Sequence, residues 1–417
     1  MKRLLPKVPH LDHFKNEAKA LLKAHRDGDA SVCETLRQLR RFGGASDEAI
    51  LATHVKLTEV QFALALDYGY PSWAALRAII PPGLPEDFAP DAKPGALLLS
   101  DVPAGGTGPD RVSAALAMLL EHTGALVDHV TVAGDLGLAF ILQADSLTKP
   151  YGADVPNLDI GWWPLAEWGY EHRLPFLGKV HGITFEHLHC PTGDWKKSPD
   201  AFFRKNWKAS LRACLEADRP AVGIGRDINL IVGMDSGEPP ILGQLSCEKE
   251  VNVQRIGEYP YQLILPTGTQ KPMDRMAADR EALLYAVRLG RDEEELSHLP
   301  GKSSGRKSWL LWADQLKDGE LAGHHYYSGN VVGHLRSHRR AAVEYLKLMS
   351  QRHPRRVAHL LQQAAQVYGE VFELLRQMNT GKEDWDANRL QIVDLIQACL
   401  PLETKTQDLM EQAAGAM

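Results

Sequence analysis

Residues 81–95 read PPGLPEDFAPDAKPG, with five prolines and two glycines in fifteen positions. Proline has no amide hydrogen to give to a helix or a ladder, and it pushes the residue before it out of helical backbone. No regular element can run through such a stretch. It reads as a linker, and it divides the chain into an N-terminal unit over 1–80 and a larger remainder.

The N-terminal unit reads as all-helical. In HFKNEAKALLKAHRDGD, apolar Phe14, Ala18, Leu21 and Leu22 recur at helical spacing, and the run stops at Gly28-Asp29. A second helix fits ASVCETLRQLRRF, closed by Gly43-Gly44, and Ser46 opens a third. LTEVQFALALDYGY gives a fourth, with Thr58 as its expected cap, and Ser72 caps a short last helix, WAALRAII. The unit carries 12 Lys/Arg against 9 Asp/Glu, a balance that an ordinary solvated helical surface explains without nucleic acid.

Beyond the linker the pattern changes twice. Residues 96–270 mix the two periods. DRVSAALAMLLEHTG and FFRKNWKASLRACLEADRP read as helices. DIGWWPLAEWGYEHRL reads as a helix up to Gly169 and then a strand. PAVGIGRDINLIVGMDSGEPPILGQL alternates β-prone runs around a turn at Asp235-Ser236-Gly237, which is a hairpin signature. Residues 271–400 return to a 3.6-residue apolar period in five successive segments, and 401–417 read as a flexible tail. The strands do not alternate with helices in a βαβ pattern, so the expected class is α+β. It has a helical N-terminal module, an antiparallel sheet in the middle and a helical C-terminal region.

Composition narrows the function classes. At 417 residues the prior is two or three domains, with 44% apolar and 24% charged residues, as in ordinary globular chains. The net charge of −6 gives no general footprint for nucleic acid. No apolar run approaches the roughly 20 residues of a membrane span. The first residues lack the apolar core of a secretory signal. Five cysteines, odd in number and without a CxxC, fit a reduced cytoplasmic protein. The expectation is no membrane and no nucleic acid.

Signatures for phosphate loops, zinc proteases and serine hydrolases are absent from the sequence. The glycine-rich run Ala104–Pro109 precedes a helix but has no P-loop lysine, and a plain loop explains it. HGITFEHLHC gathers His187, His189 and Cys190, which are ligand types for zinc. No second cluster at a finger-like spacing accompanies them, so no metal and no cofactor is expected. Trp162, Trp163, Trp168, Trp195 and Trp207 crowd one stretch, with Trp309 and Trp312 later. Such density can line a cleft or fill a core. His324 to Tyr327 reads as a glycine-bounded loop.

Two stretches resemble known families. HFKNEAKALLKAHRDGD followed by LTEVQFALALDYGYPSWAALRA resembles a bacterial helical module often placed ahead of ankyrin repeats, although no repeats follow here. The resemblance implies protein interaction. In order, DRVSAALAMLLEHTG, VAGDLGLAF, PAVGIGRDINLIVGMDSGEPPILG, GRKSWLLWADQL and RSHRRAAVEYL resemble the butirosin-biosynthesis protein H type of domain, a papain-like cysteine-peptidase relative. That resemblance implies a papain-like core with a C-terminal helical extension, and acyl transfer or related amide chemistry.

Such chemistry needs a thiolate at the N-terminus of the first helix, a histidine on a later strand and an oxyanion hole. The matching positions here carry Asp110, with Ser113 one turn in, and Asp227 and Asn229 on the strand. Asp110 reads as a helix cap. The leading expectation is a relative lacking the Cys/His pair. It would bind a small molecule or protein partner in a cleft formed by Asp110, Ser113, Asp227, Asn229 and Trp312. The alternatives are an acyltransferase or amidohydrolase using Cys190 with His187 or Asp110 with Asp227, and a protein-interaction scaffold.

Overall fold

The computed structural model describes residues 11–70, 72, 73, 76, 89, 92–99, 102–105, 111–125, 127–145, 158–159, 170–190, 198–225, 227–248, 250–291, 302–318, 325–381 and 383–417. Most of the stretch read as a linker lies outside them. The chain divides between Phe88 and Ala89 into two compact units, and residues 89–417 form one of them. The class is α+β, with fourteen α-helices among the described residues and an antiparallel sheet.

The first unit holds α1 (Leu11–Arg26), α2 (Cys33–Leu36), α3 (Asp47–Leu51) and α4 (Leu57–Asp67). Ala18, Leu22, Val32, Leu36, Ile50, Val60 and Leu64 form its core. The second expected helix is broken. The chain makes a 3₁₀ turn over Ala30–Val32, the single turn of α2 and another 3₁₀ turn over Arg40–Phe42, which together turn Val32, Leu36, Leu39 and Phe42 inward. The cap of α4 also differs from expectation. Lys56, not Thr58, is the N-cap, and Glu59 reaches back to the Lys56 amide at 2.9 Å. Two buried bonds tie the helices, His25 Nε2 with the Ile50 carbonyl (3.0 Å) and Thr35 Oγ1 donating to Asp67 Oδ2 (3.0 Å).

The second unit is built on β4 (Ile183–His189), β5 (Ala221–Ile224), β6 (Ile228–Met234), β7 (Ile241–Leu245), β8 (Gln254–Arg255) and β9 (Gln262–Thr269), with β1 (Leu97–Leu98) added to β6. The order is β4-β9-β5-β6-β7-β8, and all neighbours are antiparallel. A second small sheet joins β2 (Gln143–Asp145), β3 (Leu158–Asp159) and β10 (Lys302–Ser304). Every residue of β6 is buried, so both sheet faces are covered there. Helices α5 (Arg111–His122) and α9 (Lys208–Glu216) pack on β5 and β6.

The β6–β7 hairpin turns at Asp235-Ser236-Gly237, as the sequence pattern indicates. Asp235 fixes the turn. It accepts from the Gly237 amide (2.7 Å), from the Lys93 amide (2.6 Å) and from both Nη atoms of Arg255 (2.8 and 2.6 Å). These bonds, Arg255 first, outweigh burial and hold the Asp235 carboxyl down at about 2.

Other elements depart from the sequence reading. The helix expected over 202–217 is two helices, α8 (Pro199–Asn206) and α9, broken at Trp207. That ring is buried against Phe202 at 5.2 Å, with φ at −120°, outside helical backbone. The strand expected after Gly169 is α7 (Tyr170–His181), which places Arg173, Leu177 and Val180 inside at helical spacing. The expected loop at His324 to Tyr327 is helical from His325, where α12 (His325–Ser350) begins. Residues 401–416 do not fray. They are the second half of α14 (Trp385–Ala416), where Glu403, Thr406, Met410 and Ala413 are buried. Arg291 clasps Asp408 and Glu411, and Arg280 Nε donates to the Ala414 carbonyl.

The remaining helices are α6 (His129–Asp135), α10 (Arg275–Arg291), α11 (Gly305–Asp318) and α13 (Arg355–Gln377). Four of the helices meet at one carboxylate. Asp135, fully buried at the end of α6, accepts from Arg275 of α10 (2.7 and 2.8 Å) and from the Tyr345 hydroxyl of α12 (2.7 Å). His181 of α7 stands 3.5 Å away, and Arg173 of α7 donates to the Asp135 carbonyl at 2.7 Å. Burial pushes the Asp135 carboxyl up, but His181, Arg275 and Tyr345 overcome it and hold it well below the usual range. Gly134 lets Tyr345 approach, because a Cβ there would overlap its ring.

Asp135→Asn leaves Arg275 with half its partner and is expected to cost about 3–5 kcal/mol in urea unfolding. Breaking the exposed Arg37–Asp47 pair with Asp47→Asn is expected to cost under about 1 kcal/mol. Equal losses would count against the Asp135 centre. Asp235 has a lowered folded value, so its contribution is present above the usual carboxylate value of 3.8 and is lost as pH falls toward 2. The gap in melting temperature between wild type and Asp235→Asn should therefore be full at pH 6 and close by pH 2. A constant gap would contradict the assignment.

Candidate functional site

The start of α5 is where the sequence places the reacting centre. Asp110 and the run 106–109 before it lie outside the described residues. The first helical residue, Arg111, donates from Nη1 to Asp227 Oδ1 at 2.6 Å, and both side chains are about half exposed. This ion pair joins the helix to the chain just before β6. Asn229 follows two residues on and is buried, opposite Gly223 of β5 and Leu245 of β7. Ser113 is fully buried near the start of α5. Asp227 and the α5 start are thus brought together, with Ser113 and Asn229 in the core behind them.

A histidine that the sequence reading did not single out senses the charge at this place. His334 on α12 is mostly buried, and burial followed by the Arg111 charge lowers its imidazole below the ordinary value. One turn on, His338 is completely buried with its ring 6.3 Å from that of His334. Among the described residues neither ring nitrogen of His338 has a hydrogen-bond partner. Burial, then His334 and Arg339, keep it well below the ordinary value, so it is neutral at pH 7. The available signal was HLRSHRR, with histidines at i and i+4 on a helix.

Trp312 does not stand at an open wall. It is fully buried on α11, with its ring 5.9 Å from that of Trp309. Trp207 is core as well, and Trp162, Trp163, Trp168 and Trp195 lie outside the described residues.

The cluster His187, His189 and Cys190 occupies the end of β4, an edge strand of the sheet, and the residue after it. His187 and His189 share one face, and His187 Nε2 lies 3.0 Å from Gln262 Oε1. Cys190 is buried, and its amide donates to the Tyr261 carbonyl at 2.9 Å. Asn229 aligns through Gly223 and Leu263 with Leu188. Three strand spacings separate them, about 14 Å at the usual ~4.8 Å each. The two candidate sets therefore do not share a site.

Three of the other thiols are held protonated. Burial raises Cys33, pushes Cys214 up to about 11 and Cys399 up to about 12. Cys247 is exposed. Among the described residues no group of three or more His, Cys, Asp or Glu is placed to hold a metal ion. No described helix is long and apolar enough to cross a membrane.

No family model matches the chain, and no curated protein matches it.

Replacing His338 by leucine removes two unpartnered polar atoms at similar volume. The variant is expected to be as stable as wild type or up to about 1 kcal/mol more stable. A loss above about 2 kcal/mol in urea unfolding would show that the imidazole is satisfied in solution.

Proposed function

We propose that residues 89–417 form a non-catalytic relative of the butirosin-biosynthesis protein H type of domain, which binds a small molecule or a protein partner and does not turn over a thioester. The helical N-terminal unit serves as a docking module. The observation that carries this reading is the Arg111–Asp227 ion pair at the start of α5. Thiol chemistry would need a thiolate there, and the nearest cysteines in sequence are Cys33 and Cys190.

The geometry also weighs against the two alternative catalytic sets. Cys190 follows the edge strand β4, three strands away from β6, which Asp227 precedes. An Asp110/Asp227 acid–base pair would need two carboxyls facing one another, but Asp227 faces Arg111. Residues about the α5 start offer a different chemistry. A cationic guanidinium, a carboxylate and the neutral imidazole of His334 suit hydrogen bonding to a polar ligand group. The ligand face in this reading is this cluster and not the tryptophans.

The test uses the full chain with the acetyl thioester of N-acetylcysteamine and an alkyl amine. Thiol release should run at the rate of buffer alone, and intact mass should show no acyl adduct. An adduct on Cys190 or Cys247, or release more than about a hundredfold above buffer, equivalent to roughly 2.7 kcal/mol, would overturn the reading.

A further inference from the structure

The corner between α12 and α13 carries an unusual charge distribution. Residues 345–369 contain Lys347, Arg352, Arg355 and Arg356 and no Asp or Glu, in a chain whose net charge is −6. Lys347 sits in the last turn of α12, where a cation is favourable. Arg355 and Arg356 are the first two residues of α13, where the helix dipole opposes a cation. Pro354 is the N-cap and offers no side-chain cap. No acid sits in the first turn. Arg355, Arg356 and Lys347 are exposed, and among the described residues they make no side-chain hydrogen bond or ion pair.

The corner beneath them is fixed. Asp279 of α10, fully buried, accepts from Arg352 (3.0 and 3.2 Å), from His353 Nε2 (2.9 Å) and from Arg275 Nε (2.9 Å). The turn is therefore held to α10 from inside while its cations face water. On α10, Met276 lies three residues before the Asp279 that anchors this turn and is 43% exposed. Uncompensated cations set against a helix dipole on a rigid turn reduce stability, and a binding role explains their presence.

We propose that this corner is a docking surface for an acidic segment of a protein partner, with Arg355, Arg356 and Lys347 meeting carboxylates and Met276 meeting an apolar side chain. Charge complementarity selects an acidic occupant. The footprint favours protein over nucleic acid, whose phosphates call for cations repeated along a longer face. Here Gln362, Gln363 and Gln366 follow on the exposed face of α13, and then Glu370 and Glu373.

The test measures fluorescence anisotropy of a fluorescein-labelled peptide of four Glu-Glu-Leu repeats with the full chain at low salt. Wild type should bind. The double variant Arg355→Glu/Arg356→Glu should bind at least tenfold more weakly with a melting temperature no lower than wild type, since the helix dipole favours the new carboxylates, and Met276→Ala should bind severalfold more weakly. Raising salt to 0.3 M should weaken wild-type binding. Absence of wild-type binding, or equal binding by either variant, would overturn the proposal. So would tighter binding of a twelve-nucleotide thymidine strand or of phosphatidylserine vesicles, lost in the same double variant.

Discussion

A single buried carboxylate organises the larger unit. Asp135 ends α6 and holds Arg275 of α10 and Tyr345 of α12 while His181 and Arg173 approach from α7. A carboxylate taken out of water costs several kcal/mol, and it is tolerated only where its oxygens are fully used. The arrangement then propagates. Arg275 also binds Asp279, four residues on, and Asp279 binds Arg352 and His353 at the α12–α13 corner. Alternating charges thus run from α6 across α10 to that corner. A second buried pair, Arg339 with Glu403 at 2.6 Å, fastens α12 to α14, and Arg339 also donates to the Ala139 carbonyl.

The same helix serves the structural centre and the candidate site. On α12, Tyr345 grips Asp135, Arg339 grips Glu403, and His334 lies within reach of the Arg111 charge. The position of His334 is therefore set by bonds made one to three turns away, and α5 itself packs on α6. Loosening Asp135 would move both sides of the α5 start together. Glycine contributes where bulk would not fit, since Gly134 admits the Tyr345 ring and Gly137, at φ +83°, lies against Tyr285. The run VAGDLGLAF thus encodes a backbone that two aromatic side chains press upon.

What the sequence disclosed follows from local physics. The 3.6-residue periods produced the C-terminal helices, and Asp235-Ser236-Gly237 marked the hairpin, because both signals act within a few residues. The misreadings have tertiary causes. Trp207 leaves helical backbone to pack on Phe202, and α14 continues past Pro401 because Glu403, Met410 and the Arg291 clasp hold its second half. Asp227 and Asn229, of which the structure brings Asp227 to Arg111 at the α5 start, were named from the sequence. The charge centre was not, since Asp135 meets Arg275 and Tyr345 across 140 and 210 residues. Its one local trace is an isolated carboxylate inside the apolar run VTVAGDLGLAF. Such a residue needs a buried partner.

Satisfied and unsatisfied polar groups separate the structural role from the functional one. Asp135, Asp279 and Glu403 are buried and bonded to cations, so they serve the fold. Among the described residues, His338 is buried with no partner on either nitrogen, and the exposed Arg355 and Arg356 make no side-chain bond. Neither state contributes to stability: the first leaves polar atoms without partners, and the second places cations at the wrong end of a dipole. Both lie on or beside α12, the helix that the Asp135 and Glu403 bonds make rigid. A rigid element can carry such local costs because stronger interactions elsewhere over-determine its position. Among the described residues, His338 and the α12–α13 corner thus carry polar groups that the fold does not itself use.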